Sequence, residues 1–313
     1  MSSDQISETT KKALIIGYGS IGRRHYDVLT EHFGFKHIHL VTKQQTTSSH
    51  DYKEMPHPDR LKEYDYFLIC SETIKHYEQL VYLCSHVDKK TILVEKPLFT
   101  EVQQVARNNN RIFVGYNLRF HPLLNAIRIQ IGQQTVLSVN INVGQHLSDW
   151  RPDSDYEKSY SASKARGGGV LLDLSHELDY IIWLFGPFTV LASISEKISM
   201  LAGDSDDYLA LIGRTNTNVN VTLNMDYLQQ KPQRSITINL EHETLTADFI
   251  SNSLRRKAAD SDLQTKTFSV NRNSSYQAMH RHILEEGGPN ACSYDDGIEV
   301  MKCVQQIRES KII

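Results

Sequence analysis

The sequence lacks a Cys-x-x-Cys pair, and its four cysteines, Cys70, Cys84, Cys292 and Cys303, form no cluster with histidine at zinc spacing. No metal site is therefore expected, and the thiols read as buried and reduced. Long apolar runs are missing as well: the stretch around 180–185 falls well short of a membrane span. Residues 1–10 are polar and have no apolar signal-peptide core, so they read as a loose tail on a cytoplasmic protein. Charge of one sign is also absent, since a net charge of -3 gives no general attraction to nucleic acid or to acidic membranes. Repeats and low-complexity tracts are lacking. What remains is an ordinary globular composition, 40% apolar and 23% charged, on 313 residues, long for one core and suited to two domains.

The first part of the chain alternates strand and helix patterns. Ala13-Leu14-Ile15-Ile16 runs into Gly17-Tyr18-Gly19-Ser20-Ile21-Gly22, and helical spacing follows from Arg23. Strand, glycine turn and helix are the setting that a dinucleotide fingerprint requires. Gly17 permits the tight turn, Gly19 lets backbone approach a pyrophosphate, Gly22 lets helix pack on strand, and the helix start at Ser20 and Ile21 attracts phosphate. After the second strand, His37–Val41, the place that would hold an acid for the ribose diol carries Thr42-Lys43. Without that acid a 2′-phosphate meets no repulsion, which tilts the expected cofactor from NAD toward NADP, although Lys43 also fits a solvated turn. A short crossover in 44–58, a third strand at 66–70, Ser71 and Thr73 as caps or cofactor contacts, and a helix from His76 come next. A strand at 91–94 then delivers Glu95-Lys96-Pro97 to the sheet edge. A lysine there either faces cofactor and substrate or simply ends a strand at the surface. A further helix is expected near 101–108, and Ile112–Gly115 reads as another buried strand. The expected fold is α/β, a doubly wound parallel Rossmann sheet over residues 1–120.

From residue 121 the pattern changes. Period-two alternation at 138–144, 209–214, 218–225 and 235–241 predicts an α+β domain on an open, mostly antiparallel sheet, spanning 121–313. Gly167-Gly168-Gly169 precedes an apolar helical pattern in which Asp173, His176 and Asp179 recur every three residues and so share a face. A histidine between two carboxylates can act as a general base with its tautomer fixed by a neighbour; a partly buried packing role is the alternative.

Taken together, Gly17-x-Gly19-x-x-Gly22, Glu95-Lys96-Pro97, Gly115-Tyr116-Asn117-Leu118-Arg119-Phe120-His121-Pro122 and the glycines leading to His176-x-x-Asp179 resemble the glucose-fructose oxidoreductase, inositol dehydrogenase and rhizopine-catabolism family (Gfo/Idh/MocA). The resemblance spans nearly the whole chain in order, and Glu-Lys-Pro is its most distinctive part. It implies hydride transfer between NADP or NAD and a secondary alcohol or ketone of a sugar, cyclitol or nucleotide sugar, in a homodimer or homotetramer paired through the second domain's sheet. It also implies that Lys96 contacts the reacting hydroxyl, that Asp173 orients the substrate and that His176 exchanges the proton. Ser71, Thr73, His76, Glu95, Lys96 and Pro97 would line the cofactor. Asn117 and Arg119 would line the substrate. Two departures stand out: Asp173 lies three residues from His176 where the family usually has four, and the acid after the second strand is missing. Trp150-Arg151-Pro152 with Tyr156 and Tyr160 is similar to a branch linked to surface-glycan and nucleotide-sugar metabolism. There the aromatics would stack on sugar or base and Arg151 would clamp an anion, or the loop would only be pinned by packing. A redox-neutral lyase or epimerase with retained nicotinamide, and a cofactor-binding regulator without turnover, are the alternatives. Retention of Lys96 and His176 speaks against the regulator.

Overall fold

The computed structural model describes residues 11–46, 51–150 and 155–310. They form two compact units. The first comprises the described residues up to Ser71 together with Lys75–Glu95 and Gln104–Phe113; the second comprises Glu72–Ile74, Lys96–Gln103 and the described residues from Val114 onward.

In the first unit the strands are β1 (Lys12–Ile16), β2 (His37–Val41), β3 (Tyr66–Ile69), β4 (Thr91–Val94) and β5 (Arg111–Val114), in the order β5-β4-β3-β1-β2. β1 pairs in parallel with β2 and β3, and β3 with β4. Ala13–Ile16 and all of β3 are buried, as near-continuous apolar runs in a sheet covered on both faces should be. The chain order reverses beside β1, which makes the carboxyl ends of β1 and β3 the switch point where such sheets bind ligands. Helix Ser20–His32 buries Gly22, His25, Val28 and Leu29 along one face. Among the described residues of the crossover to β3, the one helix is the four-residue Pro58–Leu61, in keeping with the polar sequence.

The helix expected near 101–108 does not form. Its carbonyls are taken by side chains from elsewhere, Gln103 O by the Tyr294 hydroxyl (3.4 Å) and Gln104 O by that of Tyr77 (3.5 Å). Asn108 is left-handed (φ 50°) and interrupts any helical run.

The second unit is built on β6 (Val136–Gly144), β7 (Phe188–Glu196), β8 (Tyr208–Thr215), β9 (Asn220–Asp226), β10 (Gln233–Leu240), β11 (Glu243–Asp248), β12 (Ser253–Ala258) and β13 (Gln264–Thr267). Their order is β13-β12-β11-β10-β6-β9-β8-β7, and β6 with β9 is the one parallel pair in an otherwise antiparallel sheet. Alternation explains the two faces. Val139, Ile141, Val221, Leu223, Ile236 and Ile238 are buried. Asn140, Thr222 and Asn142 point the other way, with Asn140 Nδ2 donating to Thr222 Oγ1 (2.6 Å) and Asn142 Nδ2 to Asn140 Oδ1 (2.7 Å). Helix Tyr294–Glu309, started by a capping box between Ser293 and Asp296, packs on β7. Among the described residues no helix is long and apolar enough to cross a membrane, and no group of three or more His, Cys, Asp or Glu is placed to hold a metal ion.

His121 caps helix Pro122–Ile131, its Nδ1 accepting from Leu123 N–H (3.2 Å). Burial and then the Arg234 charge push its pKa down to about 4. A histidine held neutral in the fold binds a proton in the unfolded chain first, so this group weakens stability as pH falls from about 6.5 toward 4. The asparagine variant His121→Asn puts a capping oxygen in place of the ring nitrogen and does not titrate. Wild-type stability relative to His121→Asn should therefore fall by about 2 kcal/mol between pH 7 and pH 5, by urea unfolding. A difference independent of pH would show that His121 is not held neutral.

Candidate active site

The first unit carries a cradle that fits a dinucleotide. Gly17 is left-handed (φ 97°), and a Cβ there would lie 2.7 Å from the Cys70 carbonyl and from Ser71 N. A Cβ on Gly22 would lie 2.1 Å from Gly17 O, so close contact of helix with turn demands glycine. Gly19 faces open space, with nothing within 4 Å of the same point. No acid occupies the first turn of the helix that follows, so its amino terminus is free of carboxylates that would compete with phosphate. Thr42 is buried at the end of β2, its Oγ1 accepting from Gln44 N–H (3.2 Å), and Lys43 is exposed. Ser71 Oγ donates to Gln79 Oε1 (2.7 Å), and His76 Nε2 pairs with Ser71 O (3.1 Å). Capping by Ser71 or Thr73 is not realised: helix His76–His86 has Lys75 at its N-cap and no side-chain cap, and Thr73 opens the turn before it. Glu95 is buried against His25 Nε2 (2.8 Å). His25 is a partner that the sequence pattern did not reveal.

The chain passes from the first unit to the second between Glu95 and Lys96. Within the second unit the half-buried Lys96 donates from Nζ to the backbone carbonyl of Asp173 (2.6 Å). That bond changes the helix. Expected as one run, it is two: Val170–Asp173, then His176–Phe185, with Leu174 at φ -98°, ψ 23° between them. With the Asp173 carbonyl engaged by the ammonium, the Glu177 N–H turns to Leu174 O (3.2 Å). Asp173, His176 and Asp179 consequently do not flank one another as expected. The Asp173 carboxylate accepts from the Tyr227 hydroxyl (2.7 Å), and Asp179 pairs with Arg119.

The charges that act on His176 are thus those of cations, Lys96 and Arg234. It shares a cavity of about 300 Å³ with Lys96, Asp173, Gln145, Trp150 and Arg234. Its Nδ1 is buried with no hydrogen-bond partner, and its ring meets the edge of Tyr116 (5.5 Å, 78°). Withdrawal from water, then the charges of Lys96 and Arg234, hold its pKa well below 6.5, so the imidazole is neutral at pH 7. Arg234 is itself anchored: its Nη2 lies 2.7 Å from Oε1 of the fully buried Glu177, whose carboxyl desolvation pushes upward in pKa.

Other sequence-predicted residues lie elsewhere. Arg119 is 3% exposed, bidentate on Asp179 (2.7 and 3.1 Å) with Nη1 on Asp296 (3.0 Å), and Asn117 Nδ2 donates to Ser275 Oγ (2.7 Å). Neither lines the cavity, because buried protein partners already take these donors. Trp150 does line it, edge-on to Tyr227 (5.0 Å) with Nε1 donating to Gln145 O (3.2 Å). Tyr156 accepts from Ala202 N–H (3.4 Å), Tyr160 starts the turn Tyr160–Ala162, and neither reaches the cavity wall. Arg151 lies outside the described residues. Gln145, Tyr227 and Arg234 went unrecognised in the sequence, since only the pairing of β6 with β9 and β10 brings those strand ends together.

A glycine cradle at the switch point of a parallel sheet, followed by a domain with a lysine-histidine cavity, defines a dinucleotide-binding protein of two domains. The family profile "Oxidoreductase family, NAD-binding Rossmann fold" matches residues 11–112, and "GFO/IDH/MocA C-terminal domain" matches 135–246. The chain belongs to the GFO/IDH/MocA oxidoreductase family. It is 27% identical to inositol 2-dehydrogenase of Rhizobium meliloti over 154 residues, 46% of this chain and 44% of that protein. Its matches to curated relatives thus span just under half of their length. Among solved structures, levoglucosan dehydrogenase in complex with NADH superposes with a TM-score of 0.80 at 15% identity, covering 96% of each chain. The WlbA dehydrogenase from Bordetella pertussis, in complex with NADH and UDP-GlcNAcA, gives 0.75 at 15% identity, covering 96% of this chain and 95% of that one. At such identities these two share the fold.

Arg119 serves as a test of the burial argument. The variant Arg119→Met leaves Asp179 in the interior without its cation, which should lower the unfolding free energy by roughly 3–5 kcal/mol. Denaturant titration checks this; a loss below about 1 kcal/mol would mean that Asp179 is hydrated or neutral in the fold.

Proposed function

We propose that this protein is an NAD(P)-dependent oxidoreductase acting on a secondary alcohol or ketone of a sugar, cyclitol or nucleotide sugar. The observation that carries the reading is an ammonium and a neutral imidazole in one small cavity, in a chain whose other unit has a dinucleotide cradle. The nicotinamide, when bound, supplies or accepts the hydride. The chain's own residues manage the proton and the charge. In the oxidising direction the neutral His176 takes the hydroxyl proton as hydride leaves the same carbon, and the Lys96 ammonium stabilises negative charge developing on that oxygen. In the reducing direction the same groups return the proton. Asp173, fixed by Tyr227, orients substrate hydroxyls, and Trp150 offers a ring face or edge to the sugar. A cavity of about 300 Å³ suits one sugar ring. The inositol, levoglucosan and UDP-GlcNAcA proteins named above support the substrate class.

Within that reading NADP is favoured over NAD, because Thr42 and Lys43 stand where an acid would hold the ribose diol. The second unit pairs copies of the chain into a homodimer or homotetramer through its sheet, a reading supported by the exposed Leu191, Ile194 and Ile212 on β7 and β8.

Two experiments test these statements. In an absorbance screen at the reduced-nicotinamide band against sugars and nucleotide sugars, Lys96→Met and His176→Ala should each lower turnover by roughly 10² to 10⁴ while nicotinamide affinity stays within a few-fold. Turnover near wild type in either variant removes that residue from the mechanism. Light scattering at micromolar concentration should show a dimer or tetramer, and monomer alone would reject pairing through the sheet.

A further inference from the structure

A cluster of cations at the end of β2 is not used by the lysine-histidine cavity. Arg23, in the first turns of helix Ser20–His32, donates from Nη2 to Gln44 Oε1 (2.8 Å), and its guanidinium lies 5.3 Å from the centre of the Tyr18 ring. A guanidinium held by an amide on one side and an aromatic face on another is oriented rather than loose in solvent. Lys53 donates from Nζ to the backbone carbonyl of the same Gln44 (2.7 Å). The chain brings Lys53 there because Tyr52 lies beside the strand end, its N–H on Leu40 O (2.8 Å) and its carbonyl accepting from Thr42 N–H (2.9 Å). Exposed Lys43 sits on the same turn. The Asp51 carboxylate accepts from Leu40 N–H (2.8 Å), and its charge and that of Asp27 reach Tyr18, so carboxylates border the cluster without pairing with Gln44. Two cationic side chains therefore converge on one neutral residue, two positions beyond the buried Thr42, with a third cation on the turn.

We infer that Arg23, Lys53 and Lys43, gathered around Gln44, form the receptor for the 2′-phosphate of an adenine dinucleotide, with Arg23 as its specificity-determining residue. The inference rests on the oxidoreductase reading and names the side chains behind its cofactor preference. Arg23 uses one of its five N–H donors on Gln44, which leaves donors for phosphate oxygens, and the planar fork suits a phosphate better than a lone ammonium does. A ribose diol gives these cations no charge to meet. Direction follows from that asymmetry: 2′-phosphorylated adenosines gain affinity and unphosphorylated ones do not. The gain should fade as salt rises, since the lysines are exposed.

The test is isothermal titration of the full-length protein with 2′,5′-ADP and with 5′-ADP, probes that require no turnover. Wild type should bind 2′,5′-ADP at least about tenfold tighter, as charge-assisted hydrogen bonds to a phosphate permit. Arg23→Ala should remove most of that preference while 5′-ADP affinity stays within about twofold, and Lys53→Ala should remove a smaller part. Arg23→Lys should restore only a fraction. Equal affinities in wild type, or a preference untouched in Arg23→Ala with circular dichroism unchanged, would overturn the inference. Should no sugar be turned over while the 2′,5′-ADP preference holds, the dehydrogenase reading fails and the receptor stands.

Discussion

The bond from the Lys96 ammonium to the Asp173 carbonyl organises the second unit's cavity. It takes an acceptor that an unbroken helix would have used, so the helix stops at Asp173 and restarts at His176. With that restart the Asp173 carboxylate pairs with Tyr227 and Asp179 with Arg119, so neither flanks the imidazole as the three-residue spacing predicts. The same bond holds a positive charge beside the ring. Burial first, and then the charges of Lys96 and Arg234, keep that ring neutral. A neutral imidazole beside this lysine is the arrangement that the proposed alcohol oxidation calls for.

Charge elsewhere in the second unit is held in fixed pairs, one of which also acts on His176. Glu177 and Asp179, two residues apart on the restarted helix, are each buried and each met by an arginine, Arg234 and Arg119. Arg234 lines the cavity while tied to Glu177, so its charge reaches His176 from a fixed position. Tyr227 anchors Asp173 from β9's end, leaving the Asp173 carbonyl for Lys96. These contacts stabilise a geometry rather than the fold in general; a buried ion pair is weak evidence for net stability but costly to break singly.

Much of this was legible in the sequence for a physical reason. Buried parallel strands are apolar and glycine is obligatory where a Cβ would strike backbone, so β1, β3 and β4 stand out, as do Gly17 and Gly22. The alternation of β6, β8, β9 and β10 reports a sheet with one buried face, whereas β12 and β13, exposed along much of their length, leave no such trace. The site was half visible. Lys96, Asp173, His176 and Trp150 share the cavity wall, as their motifs imply. Arg119 and Asn117 belong to motifs of equal prominence and are engaged in packing instead, because sequence order cannot tell a buried partner from a substrate. The break after Asp173 was hidden for the same reason, as it is imposed by a side chain 77 residues away.

The most direct test of the account is the protonation state of His176, read from ring-nitrogen or ring-carbon shifts in protein carrying labelled histidine, with His176→Gln identifying the signal. The account predicts an imidazole neutral at pH 7, with a midpoint well below 6.5 that rises when Lys96 is replaced by methionine. A wild-type midpoint at or above about 6.5 would contradict it, since neither burial nor the neighbouring cations would then act on the ring.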